Sequence, residues 1–223
     1  MITQSSKKIY IIGSNPNDFF DLTVEATNIL SKSNLIIYSK KFDSQYEKIF
    51  EKSNKKIFFE EDLAKSNLSL LNVIYKLFEK YNSISHLIIG DPLLFFENRE
   101  ETFFRKKKVS VEKILGIPEI ILWMNKKKLF LTNRNKNSSV TFFCPKTKSD
   151  CNKILNIKNF EKLIIKVSQE RVLYKIIQIL LNKLDQGFQY KFVANGKEIK
   201  FKNVLKLDKS IGDVYIILDN VKL

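Results

Sequence analysis

Residues 8–38, KIYIIGSNPNDFFDLTVEATNILSKSNLIIY, decide the fold. Residues 8–12 (KIYII) are a β-branched and aromatic run closed by Gly13, the pattern of a strand buried on both faces. Gly13-Ser14-Asn15-Pro16-Asn17-Asp18 is dense in turn formers and reads as a loop. Residues 22–32 then carry helical spacing, with Leu22, Ala26 and Leu30 on one side, and residues 34–38 (NLIIY) are a second buried strand. Strand, loop, helix, strand is one βαβ unit, and its crossover makes the two strands parallel.

Further along, residues 68–81 (LSLLNVIYKLFEKY) form an amphipathic helical pattern. Residues 86–89 (HLII) read as a strand that stops abruptly at Gly90-Asp91-Pro92, and residues 109–114 as another short strand. Ligands of open α/β sheets sit outside the carboxyl ends of strands, so the loops after Ile12 and Ile89 are where chemistry is expected. The second half changes style. Residues 118–125 look helical, 139–143 (SVTFF) and 163–167 (LIIKV) like strands, and 171–184 like a strongly amphipathic helix. Residues 201–205 are marginal, and 214–218 (VYIIL) give a final strand. The expectation is two α/β domains with a cleft between them. The first, residues 1–108, holds a mostly parallel sheet and the second, residues 109–223, a mixed one. The basic run Lys106-Lys107-Lys108 marks the boundary.

Hydrophobic residues at 44% and charged residues at 28% give enough apolar material for a sizeable core and argue against disorder. The net charge of +15 suits an anionic partner. Its lysines are dispersed rather than gathered into a stripe, so charge alone points only weakly to nucleic acid; a plain basic RNA-binding module would bind in a salt-sensitive way. Cys144, Cys151 and the sole histidine, His86, do not make a zinc site, a disulfide framework or a histidine-based triad, and no metal is expected. The cysteines read as idle thiols in a reducing compartment and His86 as structural. With no membrane-length apolar stretch and no leader pattern, the chain is expected to be cytoplasmic.

Three segments carry a family resemblance. In the first, Gly13, Pro16, Asp18, Leu22, Thr23, Ala26, Leu30 and Tyr38 fall in register with the opening of the tetrapyrrole methylases, a strand, a GAGPGD loop, a D-x-x-L-L-T helix and a strand ending in Tyr-Asp. In the second, GDPLLFFENREE at residues 90–101 resembles that family's GDPFxFGRGGEE loop at Gly90, Asp91, Pro92, Phe95, Glu100 and Glu101. In the third, LTNRNKNSSVTFF at residues 131–143 resembles the LTHRxxxxSVTF stretch of the uroporphyrinogen III C-methyltransferase and sirohaem synthase branch at Leu131, Thr132, Arg134, Ser139, Val140, Thr141 and Phe142. Gly116 and Ile117 fit a Pro-Gly-Ile turn upstream, and Asn195-Gly196 a turn near the cofactor. The rRNA methyltransferase branch of the same fold has a different loop that nothing here matches.

The resemblance implies a homodimeric enzyme that binds S-adenosylmethionine between two domains and methylates a pyrrole carbon of a tetrapyrrole, without a metal. It implies cofactor contacts at Pro16, Gly90, Asp91, Leu94 and Gly196, and substrate-side positions at Thr132 and Arg134. It names no catalytic residue that survives intact. The acid that follows the second strand's Tyr in the family is here Ser39, and Glu60 or Glu61 stands where a lysine is expected. A small pair after the Gly-Ile turn becomes Pro118-Glu119, a Tyr-Met-Gly becomes Lys166-Val167-Ser168, and two histidines become Asn133 and Lys146. Loop glycines are replaced at Asn15, Asn17, Phe96, Asn98 and Arg99; asparagine can take over positive φ, phenylalanine cannot do so cheaply. An alternative reading is therefore a non-catalytic relative that binds a tetrapyrrole or a partner protein.

Overall fold

In the computed structural model, which describes residues 7–94, 99–132, 139–157, 160–181, 188–194, 196–204 and 213–220, the strand Leu35–Tyr38 divides its side chains between two cores. Leu35 and Ile37 enter one with Ile9, Ile74, Ile84 and Phe104; Ile36 and Tyr38 enter the other with Ile12, Ala26, Leu30, Tyr46 and Phe50. A parallel sheet covered by helices on both faces explains why its strands are written as unbroken apolar runs.

The chain splits into two units, Met1–Glu119 and Ile120–Leu223. The first unit runs β1 (Lys8–Ser14), α1 (Val24–Lys32), β2 (Leu35–Tyr38), α2 (Ser44–Lys52), β3 (Lys56–Phe59), α3 (Glu60–Leu63), α4 (Leu70–Leu77), β4 (Ser83–Ile89), α5 (Arg99–Lys106) and β5 (Ser110–Ile114). Its five strands are all parallel in the order β3-β2-β4-β1-β5. The chain leaves β1 toward β2 on one side and leaves β4 toward β5 on the other. The neighbours β1 and β4 therefore flank a topological switch point, where the connections diverge and open a crevice at the carboxyl ends of the strands.

Helix α1 starts where the sequence says it should: Thr23 caps it by accepting from the Ala26 amide at 3.2 Å. In α2, Asp43 accepts from the Gln45 amide at 2.8 Å, and Tyr46 and Phe50, one turn apart, are buried on the sheet.

The second unit opens with α6 (Glu119–Lys126), which starts at the boundary, and continues with β6 (Val140–Phe143), α7 (Lys148–Cys151), β7 (Lys162–Val167), α8 (Glu170–Leu181), β8 (Phe188–Ala194), β9 (Lys197–Ile199), α9 (Phe201–Val204) and β10 (Val214–Asn220). Its sheet is mixed, in the order β6-β7-β10-β8-β9, with β6 and β7 parallel and every other pair antiparallel. Helix α8 buries Val172, Leu173, Ile176, Ile177, Ile179 and Leu180 in a core shared with Leu163, Ile165, Phe192 and Ile216.

The basic run at Lys106–Lys108 lies inside the first unit, because β5, which follows it, pairs with β1 along Ser110–Ile114. It is a helix-to-strand turn in which Lys108 takes φ 57°, the left-handed conformation that ends a helix. The marginal segment after Lys200 is a single helical turn, α9, rather than a strand. No helix among the described residues is long and apolar enough to cross a membrane.

Candidate functional site

Three loops meet at the carboxyl end of the first sheet, and glycines let them meet. A Cβ built on Gly13, in β1, would stand 2.5 Å from the Gly90 carbonyl oxygen and 2.6 Å from the Gly116 nitrogen. Both are well inside van der Waals contact, so any side chain at Gly13 forces backbone apart. Gly90 differs: its φ is +90°, and nothing lies within 4 Å of where its Cβ would be. The floor of the crevice is thus bare backbone, crowded at Gly13 and Gly116 and open above Gly90.

Polar contacts lock the three loops together. The Gly90 amide donates to the Ser14 carbonyl at 2.8 Å, and the Ser14 hydroxyl donates to the Ile88 carbonyl at 2.8 Å. The buried Asp91 carboxylate accepts from the Leu93 and Leu94 amides at 2.7 and 3.0 Å through Oδ1, and from the Gly116 amide at 3.0 Å through Oδ2. Thr23, besides capping α1, donates its hydroxyl to the Leu115 carbonyl at 3.2 Å. Ile89, Leu93 and Leu115 leave their side chains exposed around this region, at 38%, 66% and 51%, and Phe20 at 78%. Exposed apolar side chains beside a bare backbone floor are the usual furniture of a small-molecule site.

The loop after β1 is anchored on its other side by α2 and the turn before it. The Pro16 carbonyl accepts from the Asp43 amide at 2.7 Å, and the buried Tyr46 hydroxyl lies 2.5 Å from the Asn15 carbonyl and 3.1 Å from that of Asp18. Asn15 and Asn17 do not adopt positive φ. Asn15 instead accepts from the Asn17 amide at 3.1 Å and donates to Asp21 at 2.5 Å, so a side-chain turn does what a left-handed residue was expected to do.

At the neighbouring end of β2, the position expected to carry an acid holds Ser39, and a carboxylate from elsewhere comes to it. Glu61, in α3, accepts from the Ser39 hydroxyl at 2.5 Å through Oε1 and from the Lys40 amide at 2.8 Å through Oε2. Partial burial works to raise its pKa, and the Ser39 and Lys40 hydrogen bonds more than offset this, so the group is held below its ordinary value.

His86, read as structural, is a buried member of β4. Its Nδ1 lies 2.7 Å from Glu100 Oε1 and its Nε2 2.7 Å from Glu60 Oε1. Burial alone would strip its proton, but the Glu100 carboxylate, then Glu60, outweigh it, and the pKa is pushed up to about 10.

The structure brings Pro16, Gly90, Asp91 and Leu94 together around the β1–β4 switch point. Thr132 is exposed in the second unit, and Gly196, also there, takes φ +68° in the turn between β8 and β9, a conformation the turn itself requires. Arg134, with Phe95, Phe96, Asn98, Asn133 and Asn195, lies outside the described residues. Pro118 immediately precedes α6, Val167 is buried at the end of β7, and Lys166 pairs with Asp213 at 2.7 Å. The residues that sequence reasoning left off its list are Gly13, Gly116, Thr23 and Glu61. Gly13 and Gly116 carried a signal, since both close apolar runs.

A model of the tetrapyrrole (corrin/porphyrin) methylases matches residues 8–194 of the chain. The chain is 25% identical over 237 aligned positions to a uroporphyrinogen-III C-methyltransferase of Cyanidium caldarium, covering 96% of this chain and 87% of the relative. Among solved structures, a cobalt precorrin-4 methyltransferase superposes with a TM-score of 0.67 at 16% identity, over 95% of this chain and 94% of that one. The uroporphyrin-III C-methyl transferase of Thermus thermophilus, complexed with S-adenyl homocysteine, does so with a TM-score of 0.64 at 16% identity, over 94% and 91%.

Proposed function

The chain belongs to the tetrapyrrole (corrin/porphyrin) methylases, and on that footing we propose that it is an S-adenosylmethionine-dependent C-methyltransferase acting on uroporphyrinogen III. The observation that carries this reading is Gly90: a left-handed glycine with open space at its Cβ position, at the switch point of a parallel sheet. That is room for a flat ligand to lie against main chain, and the residues present fit the cofactor there.

Bound at this place, S-adenosylmethionine supplies an electrophilic methyl group on a sulfonium. The chain's own residues hold and orient. Asp91 fixes the loop after β4 by taking three amides, and Pro16 fixes the loop after β1. Rigid placement of the two reacting centres supplies much of the rate in a transfer of this kind. Ile89, Leu93 and Leu115 offer apolar surface that excludes water from the substrate's pyrrole rings. Methylation of a pyrrole carbon leaves a proton to be taken up, and Glu61, ionised and supported by Ser39, is the carboxylate offered for it at Oε1. The substrate class carries many carboxylates, which a chain of net charge +15 attracts. We propose further that the protein acts as a homodimer.

Calorimetric titration with S-adenosylhomocysteine, followed by incubation with labelled S-adenosylmethionine and uroporphyrinogen III, tests the reading. Saturable heat and a methylated, fluorescent product support it. Heat without product leaves a binding protein of the same family, and no heat at high protein concentration removes the cofactor from the account.

A further inference from the structure

Over β2 and β3, to one side of the β1–β4 switch point, lies a hollow of about 320 Å³. Its floor is three aromatic rings. Tyr38 stands edge-on to Phe42 at 5.6 Å and 70°, and to Phe59 at 5.2 Å and 72°. The Tyr38 hydroxyl is buried, with the residue only 1% exposed, and has no hydrogen-bond partner among the described residues. A buried phenol is nearly always satisfied, because leaving it unpaired forfeits its hydration without return. The rim is acidic. Asp43 and Glu47 line it, and Glu47 makes no ion pair among the described residues. The basic residue of the lining, Lys40, is already engaged: its Nζ lies 2.9 Å from both Asp62 oxygens and 5.3 Å from the centre of the Phe59 ring. Burial, then the fields of Glu47 and Glu51, hold the Tyr38 phenol above its ordinary pKa, so it stays a neutral hydroxyl facing negative charge.

We propose that this hollow binds a small organic ammonium ion. The positive group would sit against the aromatic rings and beside Glu47, and the phenol oxygen of Tyr38 would accept a hydrogen bond from it. Aromatic faces attract a cation through their quadrupole, a carboxylate attracts it by charge, and the phenol's lone pairs are otherwise unused. An anionic ligand meets the opposite: two carboxylates at the rim and a lysine that Asp62 already neutralises. That a lysine ammonium already rests over Phe59 shows that the ring accepts such a group. A volume near 320 Å³ holds an amine of several carbons.

The test uses the full chain, labelled for NMR, with no methyl donor present, so its outcome is independent of methyl transfer. Titration with n-butylammonium chloride is run beside sodium butyrate at equal ionic strength. The expected result is saturable shifts of the Tyr38, Phe42 and Phe59 ring signals with the amine, at a Kd of about 1–10 mM for so few heavy atoms, and none with butyrate. Tyr38→Phe, which keeps the ring, weakens binding about tenfold without lowering the melting temperature, and Glu47→Gln weakens it comparably. Shifts that do not saturate, equal response to butyrate, or a Tyr38→Phe protein that melts as wild type and binds as tightly each overturn the proposal.

Discussion

The hydroxyl of Ser39 donates to Glu61 Oε1 at 2.5 Å across 22 residues of chain, so a carboxylate from α3 occupies the space beside a strand end that has none of its own. If that carboxylate takes up the proton released after methylation, Glu61→Gln lowers kcat by about 10²–10⁴-fold while leaving the dissociation constant of S-adenosylhomocysteine unmoved. Ser39→Ala removes one of the hydrogen bonds that hold the Glu61 pKa down. The acid limb of the pH–rate profile, which lies below pH 4.5 in the parent by this reading, then moves upward in the variant. A Glu61→Gln enzyme with full kcat would reduce Glu61 to a loop tie.

Asp91 spends both carboxylate oxygens on main-chain amides, at Leu93 and Leu94 on one side and at Gly116 on the other. Asn presents one oxygen and cannot serve both sides. Asp91→Asn therefore leaves an amide without its partner and costs about 1–3 kcal/mol in denaturant unfolding. The loop it releases is the one proposed to hold the cofactor, so affinity for S-adenosylhomocysteine falls with it. Unchanged affinity in a folded Asp91→Asn protein would place the cofactor elsewhere.

How much of this was legible depends on where each interaction is written. The strands β1 and β2 and the helix between them were readable because a doubly covered parallel strand has no polar face to confuse it: KIYII and LIIY are almost nothing but core. The edge strand β3 (KIFF) starts with an exposed lysine and only half-buries the rest, so its four residues fall below recognition. Helix α2 carried Asp43, Tyr46 and Phe50 at capping and one-turn spacing, a signal that was present and passed over. At the basic run after α5, Lys108 takes the left-handed conformation without a glycine to announce the turn. Gly90 and Asp91 were visible as a turn. The hydrogen bond from Ser39 to Glu61 and the placement of His86 between two glutamates join segments far apart in sequence, and no local pattern encodes them.

The three site glycines separate steric from torsional need. Gly13→Ala drives a Cβ to 2.5 Å from the Gly90 carbonyl oxygen, and the atoms it meets are backbone that cannot rotate away. It is expected to cost more than about 3 kcal/mol or to abolish soluble expression. Gly90→Ala meets nothing within 4 Å, so it carries only the strain of a φ near +90°, about 1–3 kcal/mol. It stays folded, and its methyl group intrudes on the space proposed for the cofactor. A folded Gly90→Ala protein with wild-type cofactor affinity would show that nothing lies over that residue.

His86 supplies a pH dependence of defined sign. Its folded pKa, pushed up to about 10 by Glu100 and Glu60, lies above the ordinary value of 6.5 that it regains on unfolding. The stabilisation is complete below pH 6.5 and is lost as pH rises toward 10, so the melting temperature declines across that window. As the sole histidine, His86 gives one imidazole signal by NMR, and that signal is expected not to titrate between about pH 5 and 8. His86→Leu takes the partner from the buried Glu100 carboxyl, at a cost of about 3–5 kcal/mol. Adding Glu100→Gln removes the stranded carboxyl and restores part of that loss. Were His86→Leu alone as stable as the parent, the pair would not be charged in the folded chain. An imidazole titrating near 6.5 would say the same by a route that does not depend on unfolding.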